Sequence, residues 1–157
     1  MNSKLYLETT VPSYLTAWPS KDLVRASHQQ ITKAWWDKRR QEFDIFISQL
    51  VLDEAAAGDP EAARERLETV RNFPLLDIDE QVEILANALL EELALPAKAA
   101  GDAAHIAVAA VHGMDFLLTW NCTHIANAEM VRFIERTCQT QGWTCPVICT
   151  PEELMGV

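Results

Sequence analysis

Five short apolar runs, each followed by sequence of helical character, constrain this chain more than any other feature. They are Lys4-Leu5-Tyr6-Leu7, Phe43 to Ile47, Leu75 to Ile78, Phe116 to Thr119 and Pro146 to Cys149. Runs this short have strand length, and alternation with helices leads to a parallel sheet, because parallel neighbours need a crossover between them. Phe116-Leu117-Leu118-Thr119 has no polar alternation, which is the pattern of a strand buried on both faces. A single α/β domain over residues 1–157 is expected.

The segments between the runs carry recognisable starts and stops. Pro12-Ser13 breaks the chain before a helix from Ser20 to about Gln41, with Ser20 as N-cap and Leu23, Ile31, Ala34 and Trp35 as the apolar stripe. Leu50 to Ala57 is a short helix stopped by Gly58, and Asp59-Pro60 is a cap followed by proline at the first helical position. Asp79 opens a helix with the stripe Val82, Leu85, Ala86, Leu89 and Leu93. Gly101 to His112 is apolar almost all round, so burial on more than one side is expected. Ala128 to about Gln141 is helical, and Thr150-Pro151-Glu152-Glu153 has the form of a capping box.

Composition narrows the function classes. The chain of 157 residues is 49% hydrophobic, and a chain this long buries roughly 70% of its unfolded surface, so its core needs neither metal nor disulfide staples. No apolar run approaches the roughly 18 residues that span a bilayer, and Met1-Asn2-Ser3-Lys4 shows no signal-peptide anatomy. No membrane association and a cytoplasmic location are expected, with Cys122, Cys138, Cys145 and Cys149 as reduced thiols. The net charge of −10 does not suit a protein that grips phosphates over a broad basic surface. Basic residues exceed acidic ones, 7 to 3, only in residues 1–40, where Lys33, Lys38, Arg39 and Arg40 lie on a helical pattern. That cluster reads either as a solvated helix face or as the one place for a nucleic-acid contact.

Ligands of parallel α/β folds bind beyond the carboxyl ends of the strands. Glu8 follows the first strand directly, with Thr9 and Thr10 behind it; Glu54 lies six residues beyond Ser48; Asp102 opens the apolar helix; Asn121 follows Thr119-Trp120. Taken alone, Asp102 is equally a first-turn acid favoured by the helix dipole, and Glu54 a solvated glutamate. Together they bring three carboxylates and an amide to one edge of the sheet. Repulsion among such carboxylates is relieved by a hard divalent cation, which can orient water against a phosphodiester.

These residues resemble the PIN domains, in particular the VapC-type toxins of bacterial toxin–antitoxin modules. The resemblance spans the whole chain. It rests on Leu5-Tyr6-Leu7-Glu8-Thr9-Thr10, on Ser48 followed by Glu54 and Gly58, and above all on Asp102-Ala103-Ala104-His105-Ile106-Ala107-Val108-Ala109, His112-Gly113 and Leu117-Leu118-Thr119-Trp120-Asn121; the ending from Cys149 to Leu154 is similar too. It implies a three-layer α/β/α sandwich and a Mg²⁺- or Mn²⁺-dependent endoribonuclease. A homodimer and an antitoxin partner that blocks the cleft are implied as well. On this reading Glu8, Glu54 and Asp102 hold the metal, and with Asn121 they form the catalytic set. Two positions depart from the family pattern: the first acid is Glu8 in place of the usual aspartate, and the fourth acidic position carries Asn121, with His124 three residues on. The departure at Asn121 and the negative charge leave a second reading, a PIN-like binding module for nucleic acid or protein with weak or no turnover.

Other constellations carry less. The cysteines with His124 suggest zinc, yet no C-x₂-C pair is present, and small buried thiols are the simpler expectation. Trp35 fits the core, while Trp36 and Trp120 are open between packing, a dimer contact and base stacking. His105, three residues after Asp102, is expected as a satisfied, partly buried histidine. No Gly-rich phosphate loop, G-x-S-x-G elbow or Cys-His nucleophile pattern occurs.

Overall fold

The computed structural model describes all 157 residues. Its centre is a five-stranded parallel sheet in the order β3-β2-β1-β4-β5, formed by β1 (Ser3–Leu7), β2 (Phe43–Ser48), β3 (Leu75–Leu76), β4 (Phe116–Leu118) and β5 (Val147–Cys149). Seven α-helices connect them: α1 (Thr10–Thr16), α2 (Leu23–Lys38), α3 (Gln49–Ala55), α4 (Pro60–Val70), α5 (Glu80–Glu92), α6 (Ala100–Val111) and α7 (Val131–Thr140). The chain steps from β1 to β2 to β3 in one direction, then crosses back to β4 and β5 on the other side of β1. Right-handed crossovers therefore put α1–α4 on one face and α5–α7 on the other, giving three layers. Contacts of α1 with α2 and α4, and of α5 with α6 and α7, follow this division.

The core lies on both faces of β1 and β4. Leu5, Tyr6, Leu7, Leu117 and Leu118 are wholly buried, as are Ile106 to Ala109 of α6. Each fully buried Leu or Ile contributes about 1.5–3 kcal/mol relative to exposure. The near-continuous apolar face expected of α6 is present, and Gly113 ends the helix region with φ +67°. Asp59 and Asp79 cap α4 and α5, accepting from the amides of Ala62 and Val82 at 3.0 Å each. Glu153 Oε1 accepts from the Thr150 amide at 3.0 Å, the returning half of the expected capping box, although it opens only a single 3₁₀ turn, Glu152–Leu154.

Five local expectations are corrected. The cap of α2 is Asp22, whose carboxylate accepts from the Arg25 amide at 2.9 Å; Ser20 lies outside the helix and accepts from the Asp22 amide. Leu23 consequently falls on the solvent side and is exposed, although it has the spacing of the stripe. Pro12 does not precede a helix but lies inside the first turn of α1, where its missing amide hydrogen has no intrahelical acceptor to lose. The third strand has two residues instead of four, and α7 starts at Val131, three residues later than its pattern suggests.

Register fixes the level at which the strands end. Leu7 pairs with Leu118 and Tyr6 with Phe46, so Glu8, Thr119 and Ser48 emerge side by side where the sheet changes direction. That reversal is where parallel α/β sheets open a crevice. The basic cluster lies elsewhere: Lys38, Arg39 and Arg40 close α2 and lead straight into β2, at the opposite end of the sheet from the acids. Lys33 faces Asp37 at 3.9 Å, Arg39 pairs with Glu42 at 2.6 Å, and Arg40 lies over the Trp36 ring.

Candidate functional site

Glu8 extends β1 by one residue, its amide donating to Leu118 O at 3.1 Å. Its side chain is 4% exposed. The amide and hydroxyl of Thr10 and the hydroxyl of Thr119 all donate to the same oxygen, Oε1, the last at 2.6 Å. The two threonines are themselves fixed, Thr10 Oγ1 accepting from the Trp120 amide and Thr119 Oγ1 from the Asn121 amide. Burial raises the Glu8 carboxyl above its ordinary value, with the charge of His105 and the threonine hydrogen bonds opposing. No Lys or Arg forms an ion pair with Glu8, Glu54 or Asp102.

Glu54 is carried on α3, directly after Ser48, and its side chain remains 42% exposed. Its Oε1 accepts from Thr9 Oγ1 and lies 2.7 Å from His105 Nε2. Its Oε2 lies 3.5 Å from the position of a Cβ built on Gly101, in the first turn of α6, where the helix dipole favours an anion. Burial pushes the Glu54 carboxyl up, but His105, by hydrogen bond and charge, and Thr9 more than offset it, leaving Glu54 below its usual range.

His105 is wholly buried, more deeply than its sequence position suggests. Nε2 meets Glu54, and Nδ1 lies 2.7 Å from the Tyr6 hydroxyl, which lies 2.7 Å from Ser48 Oγ. Burial lowers the His105 pKa, but the Glu54 hydrogen bond and the charges of Glu8, Glu54 and Asp102 outweigh it and leave the value raised. Burial likewise pushes the Tyr6 phenol far up. The ligand-type atoms of Glu8, Glu54 and His105 all lie within 4.8 Å of one another.

Asp102 stands one turn before His105 on α6 and is held apart from that group. Its Oδ1 accepts from Asn121 Nδ2 at 3.0 Å, and its Oδ2 lies 2.9 Å from His124 Nδ1. Asn121 Oδ1 in turn accepts from the amides of Thr123 and His124. The four residues singled out in the sequence thus form two adjoining sets, Glu8 with Glu54 and Asp102 with Asn121, joined through α6. His105 enters the first set and His124 the second. Tyr6, Ser48, Thr9, Thr10 and Thr119 orient the acids. The i, i+3 spacing of Asp102 and His105 is the one signal in the sequence that ties His105 to an acid.

The three tryptophans weighed from the sequence are packed within the chain. Trp35 is fully buried, Trp36 packs on Phe73, and Trp120 is 8% exposed, stacked on His28 at 4.0 Å with Nε1 donating to Thr32 Oγ1. Of the cysteines, Cys138 and Cys149 are buried, Cys145 is half-buried and Cys122 is exposed.

The donor set of carboxylate oxygens and an imidazole, with no Lys or Arg to balance it, suits a divalent cation. Glu8 supports this in detail: its three protein hydrogen bonds all fall on Oε1, which leaves Oε2 open to a ligand. No helix is long and apolar enough to cross a membrane.

Comparison with known proteins bears on the fold and the family. No curated protein matches the chain in sequence. Among solved structures it is similar to the crystal structure of VapBC2 from Rickettsia felis bound to a DNA fragment from their promoter. The TM-score is 0.60 and the identity 15%, over 93% of this chain and 97% of that one; at this identity the likeness concerns the fold. The PIN domain model matches residues 5–121, from the first core residue of β1 to the asparagine after β4, and the chain belongs to the PIN domain family.

Proposed function

We propose that the protein is a Mg²⁺- or Mn²⁺-dependent endoribonuclease, the toxin of a toxin–antitoxin module. The observation that carries this reading is the carboxylate pair Glu8 and Glu54, met by no Lys or Arg, at the reversal point of a PIN-domain sheet, with Asp102 one helical turn from the histidine beside them. Glu8, Glu54 and Asp102 would hold the ion. When bound, it supplies the positive charge that orients water and stabilises a phosphodiester in displacement.

The protein's own groups supply positioning. Thr9 and Thr10 set one oxygen of each glutamate, so the remaining oxygens keep a fixed direction without reorganising. Asn121 holds Asp102 by one oxygen and brings no charge of its own, so it orients Asp102, a water or the substrate.

The partner part of the reading draws on the VapBC2 likeness and on charge. Residues 41–100 carry 14 acidic and 4 basic side chains, which favours an antitoxin with a basic segment whose arginine reaches the carboxylates. Trp18, Leu23 and Val24 are exposed around the α1–α2 turn, an apolar surface suited to a protein contact, whether with the antitoxin or in a homodimer.

One observation favours a binding module without turnover: Asn121 donates to Asp102 where the family usually has another acid. Incubation with total RNA and Mn²⁺ separates the two. Cleavage by the intact protein and its loss in Asp102→Asn support the nuclease; an intact protein that leaves RNA whole at every Mn²⁺ and Mg²⁺ concentration leaves the module.

A further inference from the structure

We propose that His105 is a metal ligand through Nε2, making the centre a mixed carboxylate–imidazole site that takes Mn²⁺ in preference to Mg²⁺. This rests on the metal-dependent reading above and goes past its oxygen-only ligand set. The three groups close enough to share an ion are Glu8, Glu54 and His105, whereas Asp102 is engaged with Asn121 and His124.

The surroundings of His105 are those of a prepared ligand. Metal-binding histidines have their second ring nitrogen held by a hydrogen-bond partner that fixes the ring and its tautomer. Here Nδ1 meets Tyr6, and Tyr6 meets Ser48, in a line of three fully buried polar side chains amid apolar core. A phenylalanine at position 6 and an alanine at 48 would fill such a core without polar groups needing partners. When Nδ1–H donates to the Tyr6 oxygen and the Tyr6 O–H to Ser48, the Nε2 lone pair faces the Glu8 and Glu54 carboxylates. In the metal-free protein a proton bridges Nε2 and Glu54 Oε1 across 2.7 Å, and a bound ion would take its place.

The identity of the ion follows from the donor. Mg²⁺ favours oxygen ligands and retains its waters, while imidazole nitrogen gains affinity along the first-row divalent series. Losing a nitrogen ligand therefore weakens Mn²⁺ more than Mg²⁺.

The test is electron spin-echo spectroscopy of the Mn²⁺-loaded protein, with competition titrations of Mn²⁺ against Mg²⁺. The expected result is a directly bonded ¹⁴N coupling in wild type that is absent from His105→Gln, with the preference for Mn²⁺ reduced about tenfold or more. Tyr6→Phe should keep the coupling and weaken Mn²⁺ binding by about tenfold. A variant with His28, His112 and His124 all changed to Gln leaves His105 as the only histidine and must retain the coupling, so the assignment stands or falls even where His105→Gln does not fold. Mn²⁺ bound without nitrogen coupling, or a coupling lost in that triple variant, overturns the inference and leaves the metal-dependent reading in place. No Mn²⁺ binding at all overturns both.

Discussion

Asp102 and Asn121 share one short hydrogen-bonded arrangement, and each makes a separate prediction. Asp102→Asn keeps the volume and one acceptor for Asn121 Nδ2 while removing an anion. It should reduce Mn²⁺ affinity by about tenfold or more with an unchanged circular dichroism spectrum, and calorimetry giving equal affinities would take Asp102 out of the centre. Asn121→Asp leaves an acceptor for the amides of Thr123 and His124 but sets a second carboxylate oxygen against Asp102, across the 3.0 Å that a hydrogen bond now spans. The metal-free variant should therefore melt below wild type and gain more from Mn²⁺, because the ion relieves the new repulsion. Asn121→Ala should lower RNA cleavage by about tenfold to a thousandfold, the range for a lost positioning group; cleavage equal to wild type would show that Asn121 has no part in it.

Among the elements, α6 and the start of α2 show what pattern can and cannot specify. The run from Ile106 to Ala110 is apolar whichever way the helix is turned, so its burial was legible without knowing its neighbours. Ile106→Ala should cost about 2–5 kcal/mol in urea denaturation. The start of α2 was not legible, since Ser20 and Asp22 are both good caps and only the fold decides which of them meets a free amide. Asp22→Ala should cost about 1 kcal/mol and Ser20→Ala well under that; the reverse order would restore Ser20 as the cap. The site was divided in the same way. Glu8, Asp102 and Asn121 follow strands or open a helix and could be read from position alone. The pairing of Glu54 with His105 depends on how α3 lies against α6, and the relay from Ser48 through Tyr6 joins residues 42 and 99 positions apart. Strand alternation gives the face on which Tyr6 lies but not the atom that its hydroxyl meets.

For the whole molecule, the distribution of charge matters more than its total. The basic residues closing α2 lie at the end of the sheet away from the acids, and Lys33 and Arg39 already face Asp37 and Glu42. Binding of single-stranded RNA should accordingly depend weakly on salt. With the Asp102→Asn protein, to avoid cleavage, the slope of log K against log salt should stay shallower than about −3, or about four phosphate contacts; a slope steeper than that would reveal a basic surface assembled elsewhere. The pairing of β1 with β4 has a consequence for how the protein is made. The first strand finds one of its two neighbours only at Phe116–Leu118, and the buried Glu8 receives the Thr119 hydroxyl across 111 positions. A nascent chain still holding β4 inside the ribosome has a bare β1 edge and scattered acids, so a stalled or truncated fragment lacks the assembled carboxylate cluster. Whatever this cluster does, it can begin only after β4 has left the ribosome and paired with β1.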